Sequence, residues 1–424
     1  MTDKKALIEL VKSVLIVLLF MSAGLLLYLT GYYSGAFTNL DSSVRERVEG
    51  EDSAQINTNE IDKYAIAQAK EVSVSSGMGG RYSVAFDNEG VDEIYGRFSA
   101  FIAEALGSAG SPQKVSAERW LEALEGESVY VRYFSPQALA SLSSLLGTRL
   151  SPNAQNISSD EFCLYRNENK VSLFYKSGNA CYSCSTAVSG SALGERISEY
   201  SFDNSFFSHE DKLLDSLDKS LLILRNFSSV PTIESAVPDS SAMLAGLMKA
   251  FDINEYTTSH YREAGGRSVY VDGNCILRVA ASGNASYEFT GESAILADSP
   301  EIDSVLELAW LISMNTVGSS CGDAKIYLSG TEAGENGKLS ICFDYLVNGI
   351  PVYLGDRHAA EYVFSNEILV SSELVFRSYE ISGESISILP MYQAAAIASS
   401  EGKARISLSY VEAQDKTECV WVNE

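Results

Sequence analysis

An α+β fold outside a membrane, with a single N-terminal transmembrane helix followed by two domains of antiparallel sheets and packed helices, is what this sequence predicts. Three observations predict it. The chain opens with an uncharged stretch, its remainder is strongly acidic yet rich in hydrophobic residues, and short apolar-alternating runs are interleaved with helical periodicities.

The uncharged stretch covers 13–40. Its most apolar part, 13–30, nears the length needed to cross a hydrocarbon core of about 30 Å, once Tyr32 and Tyr33 are counted as interfacial aromatics. The span is placed at 13–33, with 1–12 as a cytoplasmic tail. A cleaved signal peptide would need a small-residue site after the apolar core, and the segment Leu29-Thr30-Gly31-Tyr32-Tyr33-Ser34-Gly35 offers no A-x-A-like pair, so the anchor is expected to be retained. Lys4, Lys5 and Lys12 precede the span, whereas Arg45 and Arg47 follow at a distance, which puts the N-terminus in the cytoplasm and the bulk outside the cell membrane.

The formal charge is −25, and almost none of it lies in the first 33 residues. Such a surface repels nucleic acid and anionic headgroups, so nucleic acid is excluded as a partner. Hydrophobic residues make up 46% of the chain, enough for real cores and too many for a solvated acidic tail. The expected division is a stalk over 34–80, a first α+β domain over 81–230 and a second over 231–424.

In the stalk, Asp, Ser, Asn, Glu and Gln dominate, with a short helix expected over 61–72 and a flexible end at Ser75-Ser76-Gly77-Met78-Gly79-Gly80. The first domain opens with a helix over 91–106, whose Ile94, Phe98, Phe101, Ile102, Ala105 and Leu106 share one face. Ser116 then caps a helix containing Trp120, Leu121 and Leu124. A strand over 129–134 leads to Ser135-Pro136, read as N-cap and first turn of a helix carrying Leu139, Leu142, Leu145 and Leu146. Strands over 162–166, 171–176 and 180–186, joined by polar turns, form a meander.

In the second domain, a helix over 240–251 precedes three strands over 267–289. A helix over 302–314 and strands over 324–329 and 339–347 follow. Asn348-Gly349 then turns the chain back into 350–354, the strongest hairpin signal present. Strands over 361–364 and 373–381, a helix over 391–400, a strand over 404–410 and a closing strand over 419–422 complete the pattern.

Chemistry is sparse. Seven cysteines, Cys163, Cys181, Cys184, Cys275, Cys321, Cys342 and Cys419, are odd in number and lack framework spacing. Cys181 and Cys184 make a CxxC, but within a strand pattern and not at a helix start, so free buried thiols are expected; whether the two form a disulfide is left open. The histidines His209, His260 and His358 stand apart, and H-E-x-x-H and Walker motifs are absent. S-x-x-K occurs at Ser111–Lys114, Ser216–Lys219 and Ser400–Lys403 without its companion elements, which marks chance. Asp303 and Glu307 share a helix face but read as solvated, and Asp87-Asn-Glu-Gly90 lacks the remaining ligands of a calcium loop. No catalytic residue, cofactor or metal is expected.

Binding remains. Gly24, Gly31 and Gly35 fall on one stripe of the anchor helix, where missing side chains let a partner helix approach closely.

The layout of anchor, stalk, an α+β block with a Val129-Tyr-Val-Arg-Tyr-Phe-Ser-Pro136 step, and a second block resembles the YycH/YycI (WalH/WalI) regulatory proteins of Gram-positive bacteria. The similar stretches of the second block are Gly266-Arg-Ser-Val-Tyr-Val-Asp272 through Ser282-Gly-Asn-Ala-Ser-Tyr287, Phe343-Asp-Tyr-Leu-Val-Asn-Gly-Ile-Pro-Val-Tyr353, and 410–421. The resemblance implies a non-catalytic protein that binds the membrane and exterior parts of a sensor histidine kinase controlling cell-wall metabolism, often paired with a paralogous regulator. The alternatives are an anchored cell-envelope enzyme or enzyme inhibitor, or a structural protein of the envelope, division or sporulation.

Overall fold

The computed structural model describes residues 63–423, apart from 202–204, 255, 257, 292–293, 335–336 and 414–415. The anchor span and its glycines, together with most of the expected stalk, lie outside the described residues. Among the described residues no helix is long and apolar enough to cross a membrane.

The first sheet is built from β1 (Ala69–Ser76), β2 (Arg81–Ala85), β3 (Gln113–Val115), β4 (Glu127–Ala138), β5 (Ser158–Asn167), β6 (Lys170–Ser177) and β7 (Ala180–Ser189). All pairs are antiparallel, in the order β2-β1-β4-β5-β6-β7-β3. Helices α1 (Lys63–Ile66), α2 (Asn88–Ser108), α3 (Ala117–Glu125), α4 (Leu139–Leu145) and α5 (Gly190–Ile197) accompany it. Asp87 caps α2, its carboxylate accepting from Gly90 N, and Ser116 caps α3 by accepting from Arg119 N. The periodicity that announced α2 is the face it buries: Ile94, Phe98 and Ile102 are at most 3% exposed.

Two expectations fail here for identifiable reasons. Residues 69–76 are not the end of a stalk but an inner strand, and the helix expected over 61–72 is confined to α1. In β1, Val72 and Val74 face one side and Glu71, Ser73 and Ser75 the other, and all five are buried. A second, polar buried face looks like linker composition until its partners are known: Ser83 donates to Ser73 at 2.8 Å, and Ser205 to Ser83 at 2.7 Å. Likewise Ser135-Pro136 does not start a helix. β4 runs on to Ala138, and its pairing with β5 shifts register between Arg132 and Gln137, so Pro136, which has no N–H to donate, sits in an irregular part of the ladder. The Ser135 hydroxyl is occupied by Leu328 O at 3.2 Å.

A strap over 205–223, containing β8 (Phe206–Phe207) and β9 (Leu222–Ile223), crosses the polar face of the first sheet. Phe207 and Leu222 from the strap close a core with Trp120, Tyr130, Cys163 and Phe174.

The second half contains β10 (Ser229–Ala236), α6 (Ser240–Ala250), β11 (Ser259–Arg262), β12 (Ser268–Val271), β13 (Cys275–Val279), β14 (Asn284–Phe289), α7 (Ile302–Asn315), β15 (Lys325–Ala333), β16 (Lys338–Val347), β17 (Ile350–Tyr353), β18 (Ala360–Ser365), β19 (Ile368–Val375), β20 (Ser378–Ser387), α8 (Met391–Ser400), β21 (Ile406–Ala413) and β22 (Lys416–Asn423). Its large sheet follows the order β11-β12-β13-β14-β19-β18-β16-β17-β21-β22, with β15 also on β16, and β10 pairs with β20 apart. Asn348 and Gly349 both have positive φ, 49° and 79°, as the two-residue hairpin between β16 and β17 demands. The strand expected over 373–381 is two strands. The chain leaves the large sheet after Val375, where Phe376 N bonds Gly283 O, and then pairs with β10. On the α7 side, Trp310 packs on Phe343 and Ser313 donates to Tyr362 at 2.9 Å. The buried tyrosines Tyr345, Tyr379 and Tyr410 each place their hydroxyl on a partner, Val375 O, Glu412 and Pro231 O.

Residues 62–424 cluster as one compact unit. Phe134 of β4 lies against Tyr327 of β15, with ring centroids 4.2 Å apart, and Ser144 of α4 donates to Asp303 of α7 at 2.8 Å. Asp303, expected as a solvated helix-face acid, is thus half-buried in a contact between the halves.

Candidate functional site

Across the polar face of the first sheet, neighbouring strands set charges of alternating sign side by side: Glu71 on β1 opposes Arg132 on β4, which opposes Glu161 on β5, which opposes Lys176 on β6. The strap adds Asp218 and Ser220, and the second half adds Arg405, just before β21. The Arg405 guanidinium reaches Glu161 at 2.8 Å and Asp218 at 3.0 Å; Lys176 Nζ reaches Glu161 at 3.2 Å and Asp218 at 3.1 Å. Ser220 donates to Glu161 at 2.5 Å, and Tyr130 donates to the same carboxylate at 3.2 Å. Lys70 donates to Ser407 of β21 at 3.1 Å.

Burial pushes the pKa of Glu161 up, but Arg405 and Lys176 more than offset it and the carboxyl ends below its ordinary range. Asp218 is likewise pressed up by burial and then held well below the usual aspartate value by Arg405, Lys176 and the Ser220 N–H. Glu71 goes the other way. Its burial outweighs Arg132, Lys70 and Arg405, and its pKa is raised. Glu161 and Asp218 each meet both Arg405 and Lys176, so the cluster fastens the second half to the first sheet, while Glu71 Oε1 and Arg405 Nε are buried without a hydrogen-bond partner.

A cleft of about 830 Å³ opens on another side of the contact between the halves. One wall is α2, with Tyr95, Gly96, Ser99 and Ala100; the other is α7 and the start of β15, with Trp310, Met314 and Ile326. Asp92 and Lys325 pair across its rim at 3.1 Å. The small residues on α2 hollow the wall, so the cleft offers an apolar trough between two helices.

The residues weighed from sequence are dispersed. Cys181 and Cys184 lie three apart on β7, so their side chains leave opposite faces of the sheet; Cys181 joins the core under the strap, and Cys184 opposes Leu173 on the other face. That geometry forbids a bridge between them, and all seven cysteines are unpaired and buried. His209 bonds Lys219 O and Glu125, His260 stacks on Tyr270, and His358 meets Asp344. Ser216 donates to Ser399 O, and Lys219 pairs with Asp215. Asp87, weighed as a calcium ligand, is the α2 cap. Sequence reading missed the ionic row altogether. Its visible trace is that Glu71, Arg132, Glu161 and Lys176 each sit inside a strand beside apolar residues.

The architecture is that of an α+β protein with two large sheets in one compact unit. It is similar in fold to a solved protein: the crystal structure of YycH from Bacillus subtilis matches it with a TM-score of 0.54 over 88% of this chain and 96% of that one, at 12% sequence identity. At that identity the likeness shows a YycH-like fold. No family model and no curated protein matches the chain. The stretches that carried the resemblance fall on β12–β14, on the β16–β17 hairpin and on β21–β22.

Proposed function

We propose that the chain is a non-catalytic, membrane-anchored regulator that binds a sensor histidine kinase of a two-component system controlling cell-wall metabolism. The observation that carries this reading is the YycH-like fold, matched along nearly the whole of the solved protein. The uncharged stretch 13–40 and the lysines before it support an N-in anchor over 13–33, with the two sheets outside the cell membrane. Gly24, Gly31 and Gly35 would be the stripe on which a kinase helix packs, and a paralogous regulator would be a further partner. Regulation then follows from differential contact: a protein that binds two kinase states unequally shifts their ratio by its affinity difference.

The test is affinity capture of the full-length chain from Gram-positive membranes, read by mass spectrometry. Recovery of a sensor histidine kinase, reduced for a Gly31→Leu, Gly35→Leu double variant, is the expected outcome. Recovery of division or spore-coat components alone would sink the reading.

A further inference from the structure

The cleft between α2 and α7 has a floor of buried side chains, Tyr95, Trp310, Cys321 and Ile326, and a mouth at which Gly96, Ala100 and Met314 are exposed. Its polar groups are spent within the protein. The Tyr95 hydroxyl lies 2.9 Å from that of Tyr133, Ser99 donates to Gly96 O at 3.3 Å, Cys321 Sγ donates to Ala324 O at 2.9 Å, and Gln68 donates to Asn88 Oδ1 at 3.4 Å. Along this wall α2 keeps its backbone N–H and C=O groups inside the helix. Among the lining residues, charge enters only at the rim, where Asp92 and Lys325 pair at 3.1 Å.

We propose that this cleft binds the acyl chain of a single-chain lipid whose polar head is uncharged, such as a monoacylglycerol. Size, wall chemistry and charge each narrow the occupant. A volume of about 830 Å³ lies within the range of cavities that enclose a small ligand almost completely. A sugar, a nucleotide or an extended peptide carries polar groups along its length, and these would be dehydrated against walls whose donors are already committed. A hydrocarbon chain has none to lose, and each CH2 group that it buries favours the complex. The head is left at the rim, beside a carboxylate and an ammonium that balance each other. In a chain of net charge −25, an anionic head meets the surrounding field as well as Asp92, and a cationic head meets Lys325; a glycerol hydroxyl can donate to Asp92 and accept from Lys325 at once.

Gly96 makes the room. It sits in the middle of α2, where glycine serves a helix worse than alanine does, and a Cβ built on it would have no neighbour within 4 Å. A larger residue there would clash with nothing and would favour the helix, yet it would project into the trough. The space beside Gly96 is therefore not closed by any packing of the fold. Asp92 lies one turn before Gly96 and Ala100 one turn after, so the three share one face of α2 with the carboxylate at its end. Chain and head thus have separate places, the first along Gly96 and Ala100 over the Trp310 ring, the second at the Asp92–Lys325 pair.

The experiment reconstitutes the full-length protein in phosphatidylcholine nanodiscs that contain a monoacylglycerol with a photoactivatable diazirine in its chain, and maps the crosslinks by peptide mass spectrometry. Labelling should concentrate on the α2 segment 92–100 and on Trp310 and Met314. Gly96→Leu should cut that labelling by about tenfold or more, because excluding even two CH2 groups of the chain from burial weakens binding by that factor. Its thermal midpoint should not fall, since leucine favours the helix. If the variant does not fold, Ala100→Leu on the same face gives the same readout. Two further probes carry the same chain on a carboxylate or a trimethylammonium head at equal mole fraction, and both should label the cleft less than the monoacylglycerol does. Crosslinks that miss the cleft peptides, cleft labelling unchanged in the folded variants, or either charged probe labelling the cleft as strongly would overturn the proposal. So would a change of oligomeric state in Gly96→Leu without lipid labelling of the wild type, which would give the cleft to a second copy of the chain. The assay contains no kinase, so none of these outcomes bears on the regulator reading.

Discussion

Arg405 is the single side chain on which the seam depends most. The buried carboxylate of Glu161 and the half-buried one of Asp218 share it, and removing one partner of a buried ion pair costs far more than the pair contributes, because the charge left behind stays desolvated. Arg405→Met should therefore destabilise the protein by about 3–5 kcal/mol, read as a fall in the urea midpoint. Acid should act through the same carboxylates. Both have folded pKa values below their unfolded ones, so their contribution is complete above the unfolded carboxylate range of about 4 and is lost as pH falls below it. A midpoint that stays constant from pH 6 to pH 3 would contradict this. Glu71 has the opposite sign: its raised pKa means that the unfolded chain gives up the proton first, so stability is lost as pH rises through that interval. Glu71→Gln should raise the urea midpoint at pH 7 and change it less at pH 4. None of these partnerships was legible in the sequence. The charges could be seen, but which strand lies beside which is decided by contacts between positions as far apart as 71, 161 and 405.

At the scale of elements, local chemistry carried much further. The helices expected over 91–106, after Ser116, over 302–314 and over 391–400 form close to those bounds as α2, α3, α7 and α8, and the Asn348-Gly349 turn joins β16 to β17 as its residues require. Asp87→Ala should cost about 1 kcal/mol by freeing the Gly90 N–H at the start of α2. Gly349→Ala should cost more, about 2–3 kcal/mol, for two reasons that add: the positive φ strains any side chain, and the new Cβ would sit 2.4 Å from Asp87 N. A Gly349→Ala protein with the wild-type thermal midpoint would refute the close approach. Misreadings arose where a residue serves a distant neighbour. Ser135 looked like a helix cap but bonds β15, and the serines of β1 looked like a linker but face the strap.

For the molecule as a whole, the sequence announced the α+β class and an expected boundary near 230, whereas residues 62–424 cluster as one compact unit. What it could not announce is how much crosses that boundary. β15 lies against β4, α4 against α7, and β21 against β1 through Lys70 and Ser407. Residues 62–424 should accordingly unfold in one calorimetric transition, with equal calorimetric and van't Hoff enthalpies. Two separable transitions would mean that the seam is weaker than its buried charges imply. The cleft was equally hidden, since its walls come from helices some 200 positions apart.

The placement of Arg405 also sets an order of events during synthesis. The strand and strap that carry Glu161 and Asp218 emerge from the ribosome well before Arg405, the second of the two cations that bind both carboxylates. Until position 405 has been translated, the nascent first half has Lys176 alone to bridge the two, so it should be more loosely closed and more open to proteolysis. A nonsense mutation upstream of that codon should consequently remove the entire protein from the cell, the completed early portion included.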